Sequence, residues 1–332
     1  MPRQPDVRRD VRLWFSRRTS SVADWDPATL LRSKGDTTVS VVLPARNESQ
    51  TIGDIVRRLH RHLVEEVPLV DEVVVIDSGS EDRTGHVASA AGATVFRQCD
   101  IHEELGDRPG KGEALWKSQF VTSGDVLVFV DADLRDFDPG FVVGLIGPLL
   151  TDPRTQFVKA IYDRPLEDGR TVLPAGGGRV TEILARPLLN VHYPELAGIV
   201  QPLAGEYAAR RRLLERVPFV SGYGVEIAML IDVLHEVGLD AMAQVDLGRR
   251  SHRNSPDDAL GRMAGQVYLA MLSRLELHGR ALPTTDPQTM LTQYTRERGA
   301  FVPRESSVAV DERPPAASLD QYRLRPDRMG SA

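Results

Sequence analysis

Residues 125–133 read Asp125-Val-Leu-Val-Phe-Val-Asp131-Ala-Asp133, and this stretch decides the fold. An apolar run of strand length ends in two carboxylates spaced i and i+2. The run does not alternate with polar residues, so it predicts a strand covered on both faces, as at the centre of a parallel sheet. In open α/β sheets, ligands bind beyond the carboxyl ends of such strands. Two carboxylates placed there need a cation, and a divalent metal holding a diphosphate meets that need. Two other Asp-x-Asp triplets, Asp24-Trp-Asp26 and Asp136-Phe-Asp138, end no hydrophobic strand and read as solvated loop carboxylates.

The flanking sequence carries the same alternation of strands and helices. Residues 39–43 predict a first strand closed by Pro44, and Ile52, Ile55, Val56, Leu59 and Leu63 have helical spacing over 51–64. Residues 72–76 predict a second strand, followed by Asp77-Ser78-Gly79-Ser80 and a short helix through Ala91. A third short strand is expected at 94–96, and Gly110-Lys111-Gly112 opens a helix through Val121. This order predicts an α/β fold with a parallel, doubly wound sheet. No Gly-x-Gly-x-x-Gly follows a strand and no Walker A motif occurs, which removes the main support for dinucleotide-oxidoreductase and P-loop readings.

The second half is less regular. Strands are expected at 156–162, 204–208 and 241–247, and helices at 225–234 and 256–277. Gly176-Gly-Gly-Arg179 leads into a helix through Leu189 that bends at Pro187. Beyond Pro303 the Pro- and Arg-rich chain predicts no regular structure. The expected organisation is an arm over 1–37 and a first half over 38–150. A second half over 151–280 completes the same catalytic unit, and 281–332 is a partly flexible extension.

Composition narrows the function classes. The 332 residues are 41% hydrophobic and 27% charged, which suits a soluble globular protein with a full core. The net charge of −6 argues against a nucleic-acid partner. Cys99 stands alone, so no intrachain disulfide and no cysteine zinc site can form. The arginine-rich N-terminus lacks a following apolar core and no stretch reaches membrane-spanning length, so cytoplasm is the expected compartment. Lysines are rare (Lys34, Lys111, Lys117 and Lys159), which makes Lys111 in a glycine-rich turn informative.

Five segments carry candidate chemistry. Pro44-Ala45-Arg46-Asn47-Glu48 forms a polar turn at a strand end, where Glu48 could accept from a ribose or base; alternatively Asn47 and Ser49 cap the next helix. Asp77-Ser78-Gly79-Ser80 is the analogous turn one strand on, or a plain turn with a helix cap. In Arg108-Pro-Gly-Lys111, the lysine sits at a helix start, where the dipole disfavours it unless an anion offsets it. Gly176 to Thr181 repeats that logic as a second anion site, a hinge being compatible. In Arg249-Arg-Ser-His252-Arg-Asn254, His252 could complete a metal shell made with the aspartates and a diphosphate, or be an ordinary histidine.

Together these blocks resemble the actinobacterial glucosyl-3-phosphoglycerate synthases and related mannosyl-3-phosphoglycerate synthases, retaining glycosyltransferases of GT-A fold. The resemblance spans roughly residues 38–275 and rests on PARNE (44–48), DSGS (77–80), RPGKGEALW (108–116), FVDAD (129–133), GGGRVTE (176–182), QPLAGEYA (201–208), GYGVEI (222–227) and HRN (252–254). It implies a Rossmann-like, mostly parallel sheet flanked by helices, with an acceptor-binding C-terminal half. The implied reaction moves a hexose, glucose in preference to mannose, from a nucleotide-diphosphate sugar to 3-phosphoglycerate.

Residue roles follow from the same resemblance. Pro44, Ala45, Arg46, Glu48, Ser78, Lys111, Asp131, Ala132, Asp133, Leu203, Tyr223 and Glu226 would bind the nucleotide sugar. Gly178, Arg179, Thr181 and Asn254 would bind the phosphate and carboxylate of 3-phosphoglycerate. Asp133, His252 and Asp131 would hold Mg²⁺ or Mn²⁺, and Glu226, Asp133 and Lys111 would carry catalysis. One departure is Arg46, where mycobacterial members carry Leu, which leaves the preferred base and sugar open. A homodimer is expected, with no membrane and no nucleic-acid partner. Competing readings are a sugar-phosphate nucleotidyltransferase and a non-catalytic nucleotide-sugar binder. The first lacks its Gly-rich loop after the first strand, and the second has no need of an acceptor motif.

Overall fold

The computed structural model describes residues 7–163, 166–168, 171–173, 178–249, 257–281, 285–297 and 300–325. Its main sheet has eight strands: β1 (Thr19–Ser21), β2 (Val39–Ala45), β3 (Glu72–Asp77), β4 (Thr94–Arg97), β5 (Val126–Phe129), β6 (Phe157–Asp163), β7 (Tyr207–Arg210) and β8 (Met242–Arg249). Their order across the sheet is β1-β8-β6-β7-β5-β2-β3-β4. Every neighbouring pair is parallel except those made by β7, which runs antiparallel to both β5 and β6. The mostly parallel sheet expected from the alternation is therefore present, with one reversed strand in its middle.

The unbroken apolar run at 126–130 has a direct cause. Leu127 and Phe129 of β5 enter one core with Trp116, Tyr207 and Ile227. Val126, Val128 and Val130 enter the other, with Ile55, Leu145 and Val158. Both faces are thus covered, as parallel strands flanked by helices require. The first core holds Trp14 of helix α1 (Val7–Arg18) and, at the far end of the chain, Ala316 and Tyr322. The second holds helix α2 (Pro27–Lys34) and helix α3 (Ile52–Leu59). Removing a ring as deeply buried as Phe129 costs about 3–5 kcal/mol.

Three local expectations are corrected. The helix expected over 51–64 is an α-helix only to Leu59 and continues as a wider π-type segment, His60–Glu66. The helix after Gly178 runs past Leu189 to His192 and is not α-helical throughout. A π-type turn, Thr181–Ala185, leads without a break into Arg186–His192, with Pro187 at the second position of the α-helical part. The strand expected at 204–208 begins at Tyr207, and the Ala204 carbonyl ahead of it accepts from Lys159 Nζ at 2.7 Å.

The segment beyond Pro303 is structured where the sequence predicts none. Met290–Glu297 and Ala300–Ser307 form an antiparallel hairpin, and Glu312–Arg313 pairs with Phe219–Val220. At the other end, Thr19–Ser21 joins the sheet edge beside β8.

Candidate active site

The turns after β2 and β3 lace together. Asn47, held at φ +60°, donates from its N–H to the Ser80 hydroxyl at 2.9 Å, and its side-chain oxygen accepts from the Glu81 N–H at 2.8 Å. The Glu48 N–H donates to the Thr84 hydroxyl at 2.8 Å, and the Ser49 N–H to Asp82 at 3.2 Å. Neither Asn47 nor Ser49 caps helix α3; its N-cap is Thr51, without a side-chain cap bond. Ser78 donates its hydroxyl to Gln98 Oε1 at 2.8 Å. The two strand ends therefore present one shared rim, not two separate caps.

That rim opens on a cavity of about 1040 Å³. Pro44, Ala45, Arg46, Glu48, Ser78, Lys111, Asp131, Ala132, Asp133, Gly178, Arg179, Thr181, Leu203, Tyr223 and Glu226 all line it. Asn254 and His252 lie outside the described residues. A smaller hollow of about 490 Å³ lies against α1 and carries none of these side chains.

Lys111 is the centre of charge. It begins helix α4 (Lys111–Val121), with Nζ 2.5 Å from Asp131 Oδ1 and 3.2 Å from Glu226 Oε1. Burial opposes its charge, but the carboxylates of Asp131 and Glu226 outweigh that and hold its pKa above the ordinary lysine value. The anions that a lysine at a helix start requires are thus supplied by the protein itself. Glu226 lies in the first turn of the helix Val225–Val237, where the dipole favours a carboxylate.

The glycines around Lys111 serve packing against protein. Gly110 has φ +107°, and a Cβ there would stand 2.6 Å from the Gly222 nitrogen. At Gly112 a Cβ would collide with the Val220 carbonyl. Their close approach is therefore to the backbone of 220–222. A glycine the sequence does not flag, Gly205, has the opposite role: a Cβ there would stand 2.5 Å from both Asp131 Oδ1 and Lys111 Nζ.

Beneath this floor lies a second tier of buried polar groups. Lys159 is fully buried on β6, bonded to the Ala204 carbonyl and 5.0 Å from the Tyr207 ring centroid. Burial pulls its pKa down to about 8, against the opposing pull of Glu226. Tyr162 donates its hydroxyl to Glu206 at 2.8 Å. Burial pushes the Tyr207 phenol up, and its hydroxyl has no hydrogen-bond partner among the described residues. Sequence reading placed these residues on strands but gave no sign that Lys159 or Glu206 turns inward.

The donor set suits a hard divalent cation. Asp131 and Asp133 offer carboxylate oxygens two residues apart just past β5, and both line the cavity. No cluster of three His, Cys, Asp or Glu side chains poised for a metal occurs among the described residues. The two remaining triplets are structural: Asp24 accepts from the Ser21 N–H at 2.8 Å, Asp26 from the Thr29 N–H at 2.9 Å, and Asp138 from the Gly140 N–H at 2.7 Å.

Further lining comes from residues that sequence reading did not assign to the site, among them Gln98, Asp107, Gln266, Ala309 and Asp311. The last two belong to the segment expected to lack structure.

Comparison with known proteins gives a consistent result. The sequence model of glycosyl transferase family 2 matches residues 40–215. A glucosyl-3-phosphoglycerate synthase of Petrotoga mobilis is 45% identical over 296 residues, covering 88% of this chain and 90% of that protein. The corresponding enzyme of Mycolicibacterium smegmatis is 46% identical over 306 residues, covering 92% and 98%. Among solved structures, mannosyl-3-phosphoglycerate synthase from Rubrobacter xylanophilus superposes with a TM-score of 0.85 at 42% identity, covering 93% of this chain and 97% of its own. Glucosyl-3-phosphoglycerate synthase from Mycobacterium tuberculosis, in complex with Mn²⁺, uridine diphosphate and glucosyl-3-phosphoglycerate, gives 0.78 at 45% identity, covering 89% and 96%.

Proposed function

The chain belongs to glycosyl transferase family 2 and, within it, to the glucosyl- and mannosyl-3-phosphoglycerate synthases, and on that premise we propose that it transfers glucose from UDP-glucose to 3-phosphoglycerate with retention. The observation that carries the proposal is the position of Lys111, between Asp131 and Glu226, in a cavity that Gly178, Arg179 and Thr181 also line. One cation site suits a departing diphosphate, and the second suits a small acid bearing phosphate and carboxylate.

In this reading the turns at 44–48 and 78–79 hold the nucleotide, and Lys111 stabilises the negative charge that grows on the leaving diphosphate. Asp131 and Asp133, with His252, would hold Mg²⁺ or Mn²⁺. When bound, the metal supplies Lewis-acid stabilisation of the same charge. Arg179, Thr181 and Asn254 orient 3-phosphoglycerate so that its one free hydroxyl, on C2, faces the anomeric carbon. The bond from that carbon to the diphosphate breaks, the bond to the acceptor oxygen forms on the same face, and the acceptor proton passes to the departing phosphate oxygen. Glu226 and Tyr223 orient the sugar. Residues 38–150 thus act as the nucleotide-sugar half and 151–280 as the acceptor half of one catalytic unit.

Mannose is the second reading, favoured by the TM-score of 0.85 to the Rubrobacter xylanophilus mannosyl enzyme. No helix among the described residues is long and apolar enough to cross a membrane. A cytoplasmic homodimer is the proposed state, and a monomer mass in light scattering would contradict the dimer. The test of function is parallel incubation with 3-phosphoglycerate, Mg²⁺ or Mn²⁺ and UDP-glucose, GDP-glucose or GDP-mannose, each with a chelator control. Nucleoside diphosphate and glycosylated phosphoglycerate appear together if the proposal holds. Pyrophosphate release from a nucleoside triphosphate and sugar phosphate would place the chain among nucleotidyltransferases instead.

A further inference from the structure

The C-terminal segment around Arg313 reaches the loop that carries Lys111 from beneath. Its strand Glu312–Arg313 pairs with Phe219–Val220. The Ser221 N–H donates to the Asp311 carbonyl at 2.8 Å, and the Asp311 N–H donates back to the Ser221 hydroxyl at 3.0 Å. Arg274, itself buried, closes an ion pair with Glu312. These bonds bring Ala309 and Asp311 into the wall of the cavity that holds Lys111.

Arg313 is 7% exposed, and its guanidinium is used on every side. Nε and Nη2 donate to the two oxygens of Glu113 at 2.8 and 2.6 Å. Nη1 donates to the Leu105 carbonyl at 2.8 Å and Nη2 to that of Gly106 at 3.1 Å. The same group lies 4.8 Å from the Trp116 ring centroid, and the Trp116 indole N–H donates to the Pro314 carbonyl at 2.9 Å. Arg108 donates to the Glu312 carbonyl at 2.5 Å, so loop and tail hold each other reciprocally.

Glu113 is fully buried two residues after Lys111 on the first turn of α4. A carboxylate there needs a cation. Lys117, one turn on, stands 3.7 Å away but donates at shorter range to the Gln98 carbonyl (2.9 Å) and to Asp107 (3.3 Å). Arg313 supplies the bidentate partner that Lys117 does not. Gln98 then donates to the Arg108 carbonyl at 3.0 Å and accepts from Ser78 at the nucleotide rim. A continuous polar network therefore runs from the tail, under residues 105–108, to the proposed nucleotide site.

We propose that Arg313 is a positioning residue for the diphosphate-binding loop: through Glu113 and the carbonyls of 105 and 106 it fixes Arg108 and Lys111 where the leaving diphosphate lies. The C-terminal segment is then a working part of the donor site. This inference rests on the donor reading given above.

The test titrates wild type, Arg313→Lys and Arg313→Ala with UDP in the presence of Mn²⁺ by calorimetry, alongside Michaelis constants for UDP-glucose and 3-phosphoglycerate. The UDP Kd and the UDP-glucose KM are expected to rise about tenfold or more in Arg313→Ala, with the 3-phosphoglycerate KM within about twofold, since small misplacements of a clamp are costly. Arg313→Lys keeps the charge but loses the fork and falls between. Added guanidinium ion, well below denaturing concentration, is expected to restore much of the affinity of Arg313→Ala. A merely structural role would lower only the folded fraction and leave UDP affinity and both Michaelis constants intact, which overturns the inference. Should Arg313→Ala fail to fold, wild-type UDP affinity in Arg313→Lys overturns it equally. If wild type binds no UDP with Mn²⁺, the donor reading itself falls and takes the inference with it.

Discussion

Lys111 Nζ stands 2.5 Å from Asp131 Oδ1, and the bare Cα of Gly205 leaves the pair just enough room. Both charges are satisfied by each other before any ligand arrives. In the proposed reaction each would exchange that partner for a ligand, phosphate oxygen for the ammonium and metal for the carboxylate. The pair keeps two costly charges compensated in the free protein while leaving them exchangeable.

Replacing the lysine exposes this double role. In Lys111→Met, Asp131 and Glu226 lose the ammonium between them, and the leaving diphosphate loses a fixed positive charge. Turnover is expected to fall on the order of 10²–10³-fold. Steady-state kinetics with saturating Mn²⁺ measure it, and a loss under about fivefold would remove Lys111 from the transition state.

Gly205→Ala tests the floor. The added methyl would press on both members of the pair, so turnover is expected to drop at least about tenfold. Far-ultraviolet circular dichroism should stay unchanged, because the three atoms nearest the added methyl are all side-chain ends of Asp131 and Lys111. Wild-type kinetics in this variant would show that the pair has freedom the geometry denies it.

Much of this was legible in the sequence, and the exceptions have physical reasons. The doubly buried β5 announced itself because a strand flanked by two cores has no polar face to alternate. Asp131 at a strand end and Lys111 in a glycine-rich turn stood where ligand sites of this fold class gather, whereas Glu226 came only with the family resemblance. Arg313 gave no local signal, because its partners Leu105, Gly106 and Glu113 lie some 200 positions away. Lys159 sits inside an ordinary strand pattern, and nothing in the pattern tells a lysine that turns inward from one at a sheet edge. Gly110 and Gly112 were conspicuous, but the surface they approach is the protein's own backbone at 220–222.

Lys159 makes the stability of the protein depend on pH in a defined window. Burial lowers its folded-state pKa to about 8 from an ordinary 10.5. Between those values the unfolded chain binds more protons than the folded one, so stability rises with pH there. The cost of charging Lys159 is fully present below pH 8 and gone above 10.5, and amounts to roughly 3 kcal/mol. Lys159→Met removes that rise. It also strands the Ala204 carbonyl, which costs back about 1–3 kcal/mol, so near neutral pH the two proteins should be close in stability. Denaturant midpoints taken from about pH 7 to about pH 10 compare the slopes, and an equal rise in both proteins would contradict the assignment.

Asp133→Asn should weaken the metal without touching the nucleotide rim. The Mn²⁺ concentration for half-maximal activity is expected to rise about tenfold or more. UDP binding should weaken in the presence of Mn²⁺ and stay unchanged in chelator. Unchanged metal dependence would remove Asp133 from the coordination set.

Glu226→Gln separates the two routes to retention. With Glu226 orienting the sugar, the variant transfers glucose more slowly but still binds UDP-glucose. A glycosyl adduct on Glu226, trapped and seen by mass spectrometry in the wild type, would favour the covalent route over attack from the leaving-group face.

The most direct test of the central claim is proton and carbon magnetic resonance of the product formed from UDP-glucose and 3-phosphoglycerate. One product is expected, glucose joined to the C2 oxygen, with the small anomeric coupling of an α-linkage inherited from the donor. A β-linked product, or glucose released to water with no glycosylated acid, would contradict it.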